Sequence, residues 1–138
     1  MTEDLWLNLP VSDLPRSIAF FTAIGFTPNP GPGNSAQSAS FSIGAKKTVL
    51  MLFTQKLFAS FANSPAADTS SACEVLFSLG AESPEQVDAM AAKAVAAGGH
   101  LFSAPAQANG FMYGCGFCDP DGHRWNVLFM DARKTPGL

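Results

Sequence analysis

Phe117-Cys118-Asp119-Pro120-Asp121-Gly122-His123-Arg124-Trp125-Asn126-Val127-Leu128-Phe129 decides how this chain is read. Asp-Pro-Asp-Gly divides two apolar, aromatic-rich runs, the pattern of a tight β-hairpin turn. Pro120 presets φ at the first corner and Gly122 accepts a positive φ. The Asp119 and Asp121 side chains can cap the turn's own NH groups. Strand alternation then puts Arg124 and Asn126 on one face, with Trp125 on the other.

The hairpin closes a longer pattern. Upstream, Glu74 to Leu79 reads as a strand with Val75, Phe77 and Leu79 on one face. Ser83 is an N-cap, Pro84 takes the first helical position and Gln86 completes a capping box. Val87, Met90, Ala91, Ala94 and Val95 make the buried stripe, and Gly98-Gly99 ends the helix. His100 to Phe102 is a short strand, Ala104 to Gly110 a loop, and the hairpin strands run from Phe111 to Cys118 and from Arg124 to Met130. The order is β-α-β-β-β.

The same order stands about seventy residues earlier, a duplication of pattern rather than of identity. Leu5, Leu7 and Leu9 share one strand face, and Trp6, Asn8 and Pro10 the other. Asp13 caps a helix with Pro15 in its first turn; Leu14, Ile18, Phe21 and Gly25 form its stripe, and Gly25 stops it. Phe26-Thr27 makes a short strand. Pro28 to Asn34 is expected to be an irregular, mobile loop, and strands follow over 38–43 and 48–53. Lys56 to Phe61 is a short helix stopped by Asn63-Ser64-Pro65. The reading is one domain over 1–138, with modules at 4–54 and 73–131 and a linker at 55–72.

The fold class is therefore α+β: two βαβββ modules forming a curved mixed sheet around a cup, with the helices outside. A cup of that kind suits a small-molecule ligand.

Composition narrows the partners. The 138 residues are 47% hydrophobic and 14% charged, with net charge −3, values of a soluble globular chain. No basic run exceeds Lys46-Lys47, which argues against nucleic acid. No apolar run reaches the roughly 18 residues of a membrane span. The acidic Met1-Thr2-Glu3-Asp4 shows no secretory signal, so a cytoplasmic location is expected. Three cysteines then imply free thiols. In a strand, Cys115 and Cys118 point to opposite faces and do not share a metal or a bridge.

Four segments carry a resemblance over nearly the whole chain: Asn8 to Leu14, Ala96-Ala97-Gly98-Gly99, Gly110 to Gly114, and Asp119 to Trp125. Together they resemble the vicinal oxygen chelate superfamily, in its glyoxalase/bleomycin-resistance-like subgroup. The resemblance implies the paired βαβββ fold, homodimers, and metal ligands on cup-facing strand positions, usually including a Glu four residues past the turn glycine. Here that position is Asn126. The corresponding first-strand positions are Trp6 and Glu74, and the end of the first module offers Met51 or a neighbour. One carboxylate does not make a divalent-metal site, so no family metal and no other cofactor are expected.

Each candidate side chain has two readings. Glu74, the one candidate catalytic group, is a pocket base or an exposed charge. Asn8 and Asn126 hydrogen-bond a ligand, or each other and buried water. Trp6 is pocket wall. Tyr113 donates a hydrogen bond or packs in the core, and Arg124 holds an anion or a surface salt bridge. His123 reads as a turn or surface residue, and His100 as a helix-end residue. The favoured function is a metal-independent binding protein for a small, partly aromatic molecule. The alternative is a metal-dependent lyase, isomerase or dioxygenase that uses Glu74.

Overall fold

The computed structural model describes residues 2–134. The chain divides into two compact units, Met1–Asp68 and Thr69–Leu138. The first holds β1 (Trp6–Val11), α1 (Leu14–Ala23), β2 (Thr27–Pro28), β3 (Ser38–Ile43), β4 (Thr48–Thr54) and α2 (Gln55–Ala62). The second holds β5 (Leu76–Gly80), α3 (Pro84–Ala96), β6 (His100–Ala108), β7 (Met112–Cys118) and β8 (Arg124–Met130). Each unit has its own four-stranded mixed sheet, ordered β1-β4-β3-β2 and β5-β8-β7-β6. In both, the first strand runs parallel to the last and the remaining pairs are antiparallel. The paired βαβββ pattern is thus present, one module per unit.

In the first unit Asp13 caps α1 by accepting from the Arg16 NH at 3.0 Å. The buried stripe is Leu14, Ser17, Phe20 and Phe21, continued by Ile24. Ile18 is only half-buried, so the helix is turned by about one residue from the expected stripe. The cause is the aromatic pair: Phe20 and Phe21 meet edge-on at 5.2 Å, and Phe21 stacks on Phe26 at 5.5 Å. This layer covers the sheet face made by Leu9, Val11, Ala39, Phe41, Leu50 and Leu52, all buried.

The opposite face carries Trp6, Asn8, Pro10, Val49, Met51 and Phe53 by alternation and register. Helix α2, inside the expected linker, lies against this second face. Its Phe61 ring stands 5.2 Å from Phe53, and Asn8, Phe53, Phe58, Phe61 and Ala62 line a concavity of about 230 Å³ there.

The Pro/Gly-rich loop after β2 is pinned rather than loose. Asn29 Nδ2 donates to Ser40 Oγ at 3.1 Å, and Ser42 Oγ donates to Asn29 Oδ1 at 2.8 Å. Asn34 Oδ1 accepts from the Ser40 NH at 3.1 Å. Pro and Gly break the ladder, but Asn and Ser side chains replace it with bonds of their own.

In the second unit Ser83 caps α3, accepting from the Gln86 NH at 3.2 Å. The Gln86 amide oxygen accepts from the Glu82 NH at 2.8 Å, one residue ahead of the cap itself. Val87, Ala91 and Ala94 are buried against the sheet. Val95 is exposed, since one helical step rotates it about 100° away from Ala94. Strand β5 starts at Leu76, leaving Glu74 and Val75 outside it and exposed.

The largest departure from the sequence reading is β6, which continues through the expected loop to Ala108. It is an edge strand, so the missing NH of Pro105 breaks no central ladder. Two register shifts against β7, between Leu101 and Ser103 and between Ser103 and Ala106, absorb its irregularity. The turn that follows is Asn109-Gly110, with φ of +56° and +75°. Asn-Gly is the dipeptide that tolerates such a pair.

Candidate functional site

The β7–β8 turn is built around Asp119, which is only 4% exposed. Its Oδ1 accepts from the NH groups of Asp121 and His123, each at 3.0 Å, and its Oδ2 accepts from Trp125 Nε1 at 3.1 Å. Burial pushes the Asp119 carboxyl above its ordinary value, and the His123 charge and these donors partly offset that. His123 is buried in the turn, not a surface histidine. The Thr69 hydroxyl donates to the Asp121 carbonyl and holds the start of the second unit on this turn. All of this is structural: the turn fixes where β8 begins and which way it faces.

Two faces follow from that register. Tyr113, Cys115, Phe117, Trp125 and Val127 point to the side that α3 covers. Met112, Gly114, Gly116, Arg124, Asn126 and Leu128 point to the other. Gly116 pairs with Asn126, and Gly114 with Leu128. A Cβ on Gly116 would stand 2.4 Å from the ring of Phe102, so that ring lies flat on the glycine. A Cβ on Gly114 would stand 2.8 Å from the Val127 carbonyl oxygen and 2.6 Å from Leu128 Cδ2.

Above this glycine floor the Arg124 guanidinium carbon lies 4.5 Å from the Phe102 ring centroid. Arg124 forms no ion pair among the described residues. Asn126 Oδ1 is buried and accepts no hydrogen bond. A buried acceptor without a donor costs about 1–3 kcal/mol, so Asn126 Oδ1 is open to a donor from outside the chain. Phe102, Ala106, Met112, Gly114, Gly116 and Asn126 are among the residues lining a concavity of about 210 Å³.

The structure therefore brings Arg124 and Asn126 to one face. It turns Tyr113 to the other, where the phenol donates to Asp88 Oδ1 at 2.6 Å and the bond raises its pKa. Glu74 stands exposed ahead of β5, and Trp6, 63% exposed, and Asn8 lie on the second face of the first sheet. Cys115 is buried toward Val87 and Cys118 faces the Arg124 side; both are free thiols, pushed up by burial. Phe102 is the residue that sequence reasoning missed. It sat next to an expected loop, and its role depends on a cross-strand glycine.

A paired βαβββ chain with a glycine-floored face on its second sheet belongs to a well-populated structural class. The family model of the Glyoxalase/Bleomycin resistance protein/Dioxygenase superfamily matches residues 5–127, and the chain belongs to that family. The hypothetical protein SA1046 from S. aureus is 34% identical, with a TM-score of 0.80 and 94% of each chain covered. Lactoylglutathione lyase from Agrobacterium tumefaciens is 19% identical, with a TM-score of 0.68 and 94% of each chain covered. TnmS3, an antibiotic binding protein from Streptomyces sp. CB03234, is 21% identical, with a TM-score of 0.65 and coverage of 94% of this chain and 97% of that one. The last two share the fold alone. No curated protein matches the chain.

The residues at the implied metal positions do not fit a divalent cation. Trp6 has no free lone pair to give, Met51 offers a soft thioether, and Asn126 is a neutral amide; Glu74 alone is a hard anionic donor. Among the described residues no group of three or more His, Cys, Asp or Glu gathers anywhere. Nor is any helix there long and apolar enough to cross a membrane.

Proposed function

We propose that the chain is a metal-independent binding protein that sequesters a small, partly aromatic molecule on the open face of its second sheet. One observation carries this reading. Asn126, where the resemblance leads one to expect a metal-binding Glu, keeps a buried oxygen without a donor. A neutral amide oxygen is a weak ligand for a divalent cation with no other donors gathered around it among the described residues, but a full acceptor for a ligand NH or OH. The glycine floor and the Phe102 ring support it by offering a flat apolar surface beside that acceptor. An antibiotic binding protein shares the fold, so small-molecule binding is a use to which the scaffold is put.

The enzyme alternative rests on Glu74, which stands exposed outside β5, and no observation gathers further donors around it. On the resemblance, the protein also acts as a cytoplasmic homodimer, which light scattering tests as twice the 14.5 kDa chain mass. The deciding experiment is elemental analysis of protein purified without affinity-tag metals, followed by calorimetric ligand binding on the same sample. The expected result is no stoichiometric metal and undiminished binding in chelator. One tightly bound metal per chain would overturn the reading.

A further inference from the structure

The open face of the second sheet already holds an aromatic ring, and that ring is the protein's own. Phe102 lies on Gly116 so closely that no side chain fits beneath it. Arg124 covers the ring from above, and Asn126 is the cross-strand neighbour of Gly116. Phe102 sits on an edge strand at the first register shift of β6 and is 38% exposed, so its seat on Gly116 and the Arg124 contact are what hold it in place. The arrangement is a receptor for a flat ring with the ring supplied from within.

Resting on the binding reading above, we infer that Phe102 is a stand-in that the true ligand displaces, and that this ligand is a single-ring aromatic acid carrying an OH or NH donor. Each part of that description answers one unsatisfied group. The glycine floor accepts any flat ring. Arg124, free of a carboxylate partner, takes an anion with two parallel NH donors once the ring under it is the ligand's. Asn126 Oδ1 takes the donor. Arg124 and Asn126 are two residues apart on one strand, roughly 7 Å between Cα atoms, which suits substituents at opposite ends of a six-membered ring. Space agrees as well: the concavity of about 210 Å³ lies beside the Phe102 ring, so a ligand that takes the ring's place has room next to it for its substituents.

The test is calorimetry with 4-hydroxybenzoate, benzoate and phenol on the wild type and on Phe102→Ala, Phe102→Leu, Arg124→Gln and Asn126→Leu. The Gly114 and Gly116 amide NMR signals serve as locators. Circular dichroism confirms folding of each variant, and Phe102→Leu keeps an apolar cover should the alanine variant fail. Expected are binding of 4-hydroxybenzoate with shifts at both glycines and tightening by about two- to fivefold in Phe102→Ala, the worth of the cation–π contact released. Arg124→Gln should weaken binding by about tenfold or more, and Asn126→Leu should erase the preference over benzoate. Weaker or unchanged binding in Phe102→Ala makes Phe102 a wall and overturns the inference. If none of the three probes shifts the glycines in any folded variant, the inference also falls. The binding reading survives the first result, in which a probe still binds, and the second if a neutral aromatic outside the three probes, such as indole, shifts those glycines in metal-free protein; it fails separately if purified protein carries one metal per chain.

Discussion

Trp125 Nε1 donates to Asp119 Oδ2 at 3.1 Å across the β7–β8 turn, while both NH groups that bond Oδ1 come from within the same turn. One carboxylate thus satisfies three donors in a largely buried turn. Asp119→Ala should destabilise the protein by about 3 kcal/mol, since those donors stay buried without partners. Urea denaturation measures this, and a loss under about 1 kcal/mol would show that water replaces the carboxylate.

The same residue sets an unusual pH dependence. Burial raises the folded value of Asp119 above its ordinary 3.8. The folded state therefore binds its proton more readily than the unfolded one, and this stabilisation is present at low pH and lost as pH rises through the raised folded value. The stability of wild type relative to Asp119→Asn should be greatest near pH 4 and decline to a plateau as pH rises. A wild-type advantage that grows with pH would contradict the burial argument.

Tyr113 is the chain's one tyrosine, so its ionisation can be read directly by absorbance. Its hydrogen bond to Asp88 raises its pKa above 10.0, and Asp88→Ala should bring the midpoint back down. The bond needs the phenol proton, so what it adds to stability is present below the ordinary value and lost as pH rises through the folded one. An unchanged midpoint in the variant would remove Asp88 as the cause.

Gly122 and Gly44 separate backbone strain from contact. Both have positive φ, +87° and +72°, but a Cβ on Gly122 would stand 2.7 Å from the Thr69 carbonyl oxygen, whereas one on Gly44 meets nothing within 4 Å. Gly44→Ala should cost about 1 kcal/mol, and Gly122→Ala about 2 kcal/mol or more, because it also pushes Thr69 off the turn. Equal losses would mean that Thr69 moves aside freely.

Asn126→Leu should leave the protein as stable as wild type or more stable by about 1 kcal/mol, while the preference for 4-hydroxybenzoate over benzoate is lost. A stable variant that no longer discriminates is the signature of an acceptor kept for a ligand. A large loss of stability would instead give Asn126 a structural role.

Much of the fold was legible because its signals are local. Asp13 and Ser83 mark helix starts, Asp-Pro-Asp-Gly marks a hairpin, and alternation brought Arg124 and Asn126 to one face. Strand β6 was not legible, because Pro105 and the surrounding small residues hide an edge strand's period. Asn109-Gly110 was the available signal for its turn. The stripe of α1 was misplaced by one step since Ser17 is buried, and hydropathy does not mark a buried serine. The seat of Phe102 depends on a bulge and on a missing side chain one strand away, and neither leaves a pattern in sequence.

The bond from Thr69 to the Asp121 carbonyl has a mechanical side. A pull on the chain ahead of Thr69 would meet this stitch before it reached β5, and the stitch is anchored in a turn that the Asp119 carboxylate already ties together. Thr69 thus tethers the chain to the β7–β8 turn before β5 begins at Leu76. The joint works as a strain relief, like the clamp that keeps a pulled cable from tearing at its plug.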